Sequence, residues 1–173
     1  DSDGRLDEDH YRKLLFEGAE NGNREQMPLL VSIMMANNEI GTVQDIARLA
    51  SLAHEAGALF HTDAVQAIGK IPVDAAALGV DYMTCSGHKI YGPKGVGVLY
   101  AAKGMPLEPL IRGGHQEKGL RAGTYNSPSI VAFGEAALLA AERLDEYGTR
   151  LRALRNMLRD GFLAAVPDIR ING

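Results

Sequence analysis

The apolar positions of this chain fall into short dense runs, separated by polar turns and by stripes of helical spacing. Residues 29–35 (Leu-Leu-Val-Ser-Ile-Met-Met) are almost continuously apolar, the pattern of a strand buried in a parallel sheet. Asn37 and Asn38 end that run as turn formers. Ile46, Leu49, Ala50 and Ala53 then recur at helical spacing, and Gly57 closes this helix as a C-cap. Residues 58–61 predict a second strand ending at Asp63, and residues 82–85 and 97–101 predict two more. A short helix is expected over 7–17, before a polar loop at 20–25. Toward the C-terminus, residues 130–146 are strongly helical. Residues 150–165 form an amphipathic helix with Leu151, Leu154, Leu158 and Phe162 on one stripe.

Strands that alternate with helices predict an α/β fold, a mostly parallel sheet with helices on both faces. Such sheets gather ligands at the carboxyl ends of their strands. Three polar clusters, Asn37-Asn38, residues 61–66 and residues 86–89, each follow a strand. They are therefore expected on one rim, as parts of one site.

Composition narrows the function classes. A net charge of −4 and a pI near 5.7 argue against a nucleic-acid binder, which carries a basic surplus. No apolar run reaches the length of a membrane span and no signal peptide opens the chain, so no membrane partner is expected. The single cysteine, Cys85, has no internal disulfide partner, which makes a cytoplasmic location the default. Arg150, Arg152, Arg155 and Arg159 lie at ordinary helical spacing and read as a solvated face. The ends read as those of an excerpt: Asp1 opens without a methionine, and a strand-like run starts just before Gly173.

The rim residues suit one chemistry. Pyridoxal phosphate requires a lysine amine, a carboxylate at its pyridine nitrogen, donors for its phosphate and a polar partner for its phenolic oxygen. Lys89 can supply the amine and Asp63 the carboxylate, Gln66 and Asn38 the amides, and Ser86 and His88 the phosphate donors. Lys89 can also take a proton from a substrate's α-carbon if burial or nearby positive charge lowers its pKa. Other constellations fit less well. Ser86, His88 and Asp63 lack the Gly-x-Ser-x-Gly elbow of a hydrolase. His61, Asp63 and His88 match no zinc spacing, so no metal is expected. Residues 87–94 lack the Gly-Lys-Ser/Thr ending of a phosphate loop.

Three segments in register carry a family resemblance: Asn37-Asn38-Glu39-Ile40-Gly41, His61-Thr62-Asp63-Ala64-Val65-Gln66, and residues 86–95, Ser-Gly-His-Lys-Ile-Tyr-Gly-Pro-Lys-Gly. With Arg112 to Glu117 and Arg121 to Thr124, they resemble the cysteine desulfurases, pyridoxal-phosphate enzymes of the class V aminotransferase family. The resemblance covers residues 31–142 most closely. It implies the large domain of that fold over residues 1–167, incomplete here, with residues 168–173 opening a small C-terminal domain. It implies removal of sulfur from L-cysteine to give L-alanine and an enzyme persulfide, for iron–sulfur cluster assembly or another sulfur-transfer pathway, with a sulfur-acceptor or scaffold protein as partner. By the same resemblance, Lys89 is the Schiff-base lysine and Asp63 the partner of the pyridinium nitrogen. Gln66 contacts the phenolic oxygen, and Ser86 and His88 hold the phosphate. Asn38 lies near the phenolic oxygen and the substrate carboxylate. Thr124 reaches the phosphate of the neighbouring subunit's cofactor, which implies a homodimer. A phosphate-binding turn and a ring-stacking histidine upstream, and a persulfide cysteine and a substrate-binding arginine downstream, belong to the family pattern and not to these residues. The fragment alone is therefore expected to be inactive. Cys85, four residues before Lys89 in a strand pattern, reads as a buried small hydrophobe rather than the sulfur acceptor. A selenocysteine lyase, or a non-catalytic dimerisation or docking scaffold of the same fold, is the alternative.

Overall fold

The computed structural model describes residues 2–20 and 27–172. Four strands, β1 (Leu30–Met34), β2 (Leu59–Asp63), β3 (Tyr82–Ser86) and β4 (Gly97–Ala101), form one sheet in that order. The first three are parallel and β4 runs antiparallel to β3. A parallel step needs a crossover, and α2 (Ile46–Glu55) supplies the one between β1 and β2. The step from β3 to β4 has no such helix, and the chain simply turns back.

Side chains alternate across each strand, so residues two apart share a face. Val31, Phe60, Met83 and Cys85 fall on one face and are buried in the main core. Leu15 from α1 (Glu8–Glu20) and Ile46, Leu49, Leu52 and Ala53 from α2 pack into the same core. The Tyr11 hydroxyl donates to the Leu49 carbonyl at 3.1 Å, and burial pushes its pKa up to about 12. An exposed Arg48–Glu8 ion pair of 2.7 Å also links these helices. Asp45 caps α2 by accepting from the Arg48 N–H, and Gly57 follows the helix at φ +80°, the left-handed geometry that glycine adopts without strain. The buried Asp81 accepts from the Phe60 N–H at 2.7 Å and pairs with His54 at 2.8 Å, so His54 is a partnered surface histidine.

Several sequence expectations shift here. Residues 29–35 do form the expected parallel strand, β1, but it has one neighbour among the described residues, and Leu29 and Leu30 are 86% and 52% exposed. A short helix, α3 (Ala75–Leu78), is unanticipated, although its Asp74 N-cap and its left-handed Gly79 C-cap are signals legible in the sequence. The predicted helix over 130–146 is instead α4 (Ser127–Glu142), capped by Asn126, and α5 (Leu144–Ala165) follows across a break at Arg143. The loop expected at 20–25 lies outside the described residues, apart from Glu20, which ends α1. The Leu151, Leu154, Leu158 and Phe162 stripe of α5 is exposed, as are its four arginines.

Candidate functional site

Because β1, β2 and β3 run parallel, their carboxyl ends lie on one rim. Asp63 is the last residue of β2 and Ser86 the last of β3. The register pairs Met34 with Asp63 and Asp63 with Thr84, which sets these positions roughly 5 Å apart across the sheet. The backbone is pinned at this level: the Met35 N–H donates to the Asp63 carbonyl and the Ala64 N–H to the Thr84 carbonyl, at 2.9 and 3.0 Å.

The segment after β3 is built by its glycines. Residues Gly87–Ile90 form a single 3-10 turn that closes on Tyr91 at φ +65°. The Gly87 N–H donates to the Val96 carbonyl, and the Gly92 N–H donates back to the Gly87 carbonyl. A Cβ on Gly97 would lie 2.8 Å from the Cys85 carbonyl oxygen, so that strand approach requires glycine. Gly69, at φ +70°, lets the loop after β2 pack on Ile90, where a Cβ would lie 2.7 Å from Ile90 Cγ2. The turn is thus fixed at the end of β3, with His88 and Lys89 exposed on it.

Ser86 Oγ lies 2.7 Å from His88 Nδ1, so the structure brings these two residues together directly. Asp63 is half-buried at the end of the adjacent strand, where one carboxylate oxygen accepts from the Val65 N–H at 2.8 Å. Its other oxygen has no hydrogen-bond partner among the described residues. Gln66 is half-buried in the turn that follows β2. Asn38 is exposed on the turn after β1, and its amide donates to Glu39 at 2.8 Å. The preceding Asn37 shapes this turn by accepting from the Glu39 and Ile40 N–H groups. Thr124 is exposed on the loop before α4 and makes no hydrogen bond to the cluster among the described residues.

Lys89 also lines a cleft of about 350 Å³ between its turn, Gly69-Lys70 and the helices α4 and α5. Lys70, which the sequence pattern does not single out, shares this cleft. Burial and then the charge of Lys89 lower its pKa. Cys85 is buried, and burial, with the Asp63 charge adding to it, pushes the thiol up to about 11. The thiolate is the reactive form of cysteine, so Cys85 is inert near neutral pH. Among the described residues, no three or more His, Cys, Asp or Glu side chains gather as a metal site, and no helix is long and apolar enough to cross a membrane.

A mostly parallel α/β sheet with a lysine-bearing turn at its carboxyl rim defines the class, and comparison with known proteins agrees. Residues 2–173 match the aminotransferase class-V family. The chain belongs to that family. It is 50% identical over its whole length to a cysteine desulfurase of Gluconacetobacter diazotrophicus, covering 41% of that protein. Among solved structures, a NifS-like protein from Rickettsia africae superposes with a TM-score of 0.88 at 36% identity, over 98% of this chain and 45% of that one. SspA in complex with cysteine superposes with a TM-score of 0.65 at 39% identity, over 79% of this chain and 37% of that one. The chain spans less than half the length of each of these relatives.

Proposed function

We propose that this chain forms the lysine-bearing part of a pyridoxal-phosphate-dependent cysteine desulfurase. The observation that carries the reading is the placement of Ser86 at the end of β3, with His88 and Lys89 on the glycine-built turn that follows, at the end of the strand adjacent to the one that carries the half-open Asp63 carboxylate. The donor set fits the cofactor in kind: an amine, a carboxylate with one oxygen unengaged, and a hydroxyl with an imidazole for a phosphate. Bound pyridoxal phosphate supplies an electron sink for charge developing at the substrate's α-carbon.

The residues of this chain do the rest. Lys89 holds the cofactor through its amine, then takes and returns a proton at the substrate's α-carbon. Asp63 keeps a proton on the ring nitrogen by offering it a fixed negative charge. Ser86 and His88 donate to the phosphate, Gln66 contacts the phenolic oxygen, and Asn38 lies near that oxygen and the substrate carboxylate. Thr124 contacts the phosphate bound by the second subunit of a homodimer. The substrate is L-cysteine, an assignment supported by the similar proteins named above. Its C–S bond breaks to give L-alanine while the sulfur forms an S–S bond with an enzyme cysteine. The buried, inert Cys85 does not take that sulfur, so the acceptor thiol comes from outside these residues. The persulfide then passes to an acceptor protein, in iron–sulfur assembly or a related sulfur-transfer pathway of the cytoplasm. Within this reading, residues 1–167 belong to the large domain and residues 168–173 begin the small one.

The full-length protein, purified with pyridoxal phosphate, is expected to show a visible absorption band that Lys89→Ala removes, together with alanine production from L-cysteine. A colourless folded protein, or a band unaffected by Lys89→Ala, would count against the reading.

A further inference from the structure

The sheet face that carries Asp63 also carries a hydrogen-bonded chain to which the proposed function gives no role. Ser32 Oγ lies 2.7 Å from His61 Nδ1, and His61 Nε2 lies 3.2 Å from Thr84 Oγ1. These residues sit on β1, β2 and β3, so one imidazole ties the three parallel strands together just below the rim. A hydroxyl can donate or accept, so a neutral imidazole satisfies both contacts. His61 lies two residues before Asp63 on β2, on the same face. Thr84 is the direct cross-strand partner of Asp63.

Backbone hydrogen bonds already fix the main chain here, since Asp63 and Thr84 both offer carbonyls to neighbouring N–H groups. What remains to be set is the side chain of Asp63. A free Thr84 hydroxyl beside it is a donor competing for the carboxylate. We propose that His61 is a positioning residue for Asp63: in the tautomer that carries its proton on Nδ1 and donates it to Ser32 Oγ, Nε2 accepts the Thr84 O–H, which keeps that donor away and leaves the second carboxylate oxygen to the cofactor's ring nitrogen. The inference rests on the reading of Asp63 as the ring-nitrogen partner. Burial, opposed only in part by the Asp63 charge, lowers the His61 pKa, so near neutral pH the imidazole adds no cation of its own to compete for the carboxylate.

The test uses the full-length protein with pyridoxal phosphate as the probe, and reads the cofactor's dissociation constant, the pH midpoint of its visible band and the melting temperature of the apoprotein. His61→Leu frees the Thr84 hydroxyl and is expected to weaken cofactor binding roughly tenfold and shift the band's midpoint. Removing the freed hydroxyl as well, in the His61→Leu/Thr84→Val double variant, is expected to restore binding to within about threefold of wild type. His61→Gln, which keeps two polar contacts, is expected to bind within the same range. Should the leucine variant fail to fold, His61→Asn, too short to span both hydroxyls, makes the same comparison. A His61→Leu protein with a lowered melting temperature but unchanged affinity and midpoint overturns the proposal, as does a double variant that shows no recovery. A wild-type protein that takes up no pyridoxal phosphate overturns the parent reading and this inference with it.

Discussion

Cys85 shows how burial decides chemistry at a single residue. The thiol sits in the core beside Met83 and Phe60, and its pKa is pushed up to about 11 from 9.0. Such a shift leaves about a hundredfold less thiolate at neutral pH than in the unfolded chain. Iodoacetamide is therefore expected to label Cys85 roughly a hundredfold more slowly in the native protein than in urea. Equal rates in the two states would show that the thiol is accessible after all. His61 makes a second prediction at this scale. Its folded pKa lies below the unfolded value, so the folded state binds the imidazole proton less readily. Its contribution is full above about pH 6.5 and is lost as pH falls from there through the folded pKa. His61→Gln does not titrate, so urea melts should show a smaller loss of stability between about pH 7.5 and 5.5 in this variant than in wild type. An identical pH dependence in the two proteins would refute the assignment. The placement of Asp63, Ser86, His88 and Lys89 at the carboxyl ends of strands was legible in the sequence, because Asp63 and Ser86 end strand patterns and His88 and Lys89 lie in the next turn. The Ser32–His61–Thr84 chain was not, because it depends on the strand register, and residues 29 and 23 positions apart carry no local signal.

At the scale of elements, the close approach of β3 and β4 depends on Gly97. Its Cβ position falls 2.8 Å from the Cys85 carbonyl, and backbone cannot yield as a flexible side chain can. Gly97→Ala is therefore expected to cost about 1–3 kcal/mol, measured by urea denaturation. A neutral result would mean that the two strands can separate without loss. The turn that carries Lys89 lies between these same strands, so the substitution should also weaken cofactor retention. The strands and α2 could be read from periodicity, since apolar runs and a capped amphipathic stripe are local features. Two helices were expected here as well, with the break between residues 146 and 150, but its position at Arg143 was not legible. Arg143 adopts φ −103° and ψ 8°, and arginine is a good helix former, so this residue itself carries no local sign of the break. The direction of β4 was equally hidden, because alternation along a strand reports which face is buried and says nothing of parallel or antiparallel pairing.

For the whole molecule, the parallel order of β1, β2 and β3 places their carboxyl ends, and the three sequence segments that follow them, on one rim. That convergence was legible from the alternation of strands and helices alone. In a chain that spans less than half the length of its relatives, β1 and β4 bound the sheet among the described residues, and the apolar stripe of α5 is open to solvent. Such surfaces follow from what packs on an element, which its own pattern does not encode. The account stands or falls on Lys89 as the point of cofactor attachment. The most direct measurement is to treat the full-length protein, loaded with pyridoxal phosphate, with borohydride and to map the modified peptide by mass spectrometry. The predicted result is a reduced pyridoxyl group on Lys89 alone. An unmodified Lys89, or a label spread over Lys70, Lys94 and other lysines, would contradict it.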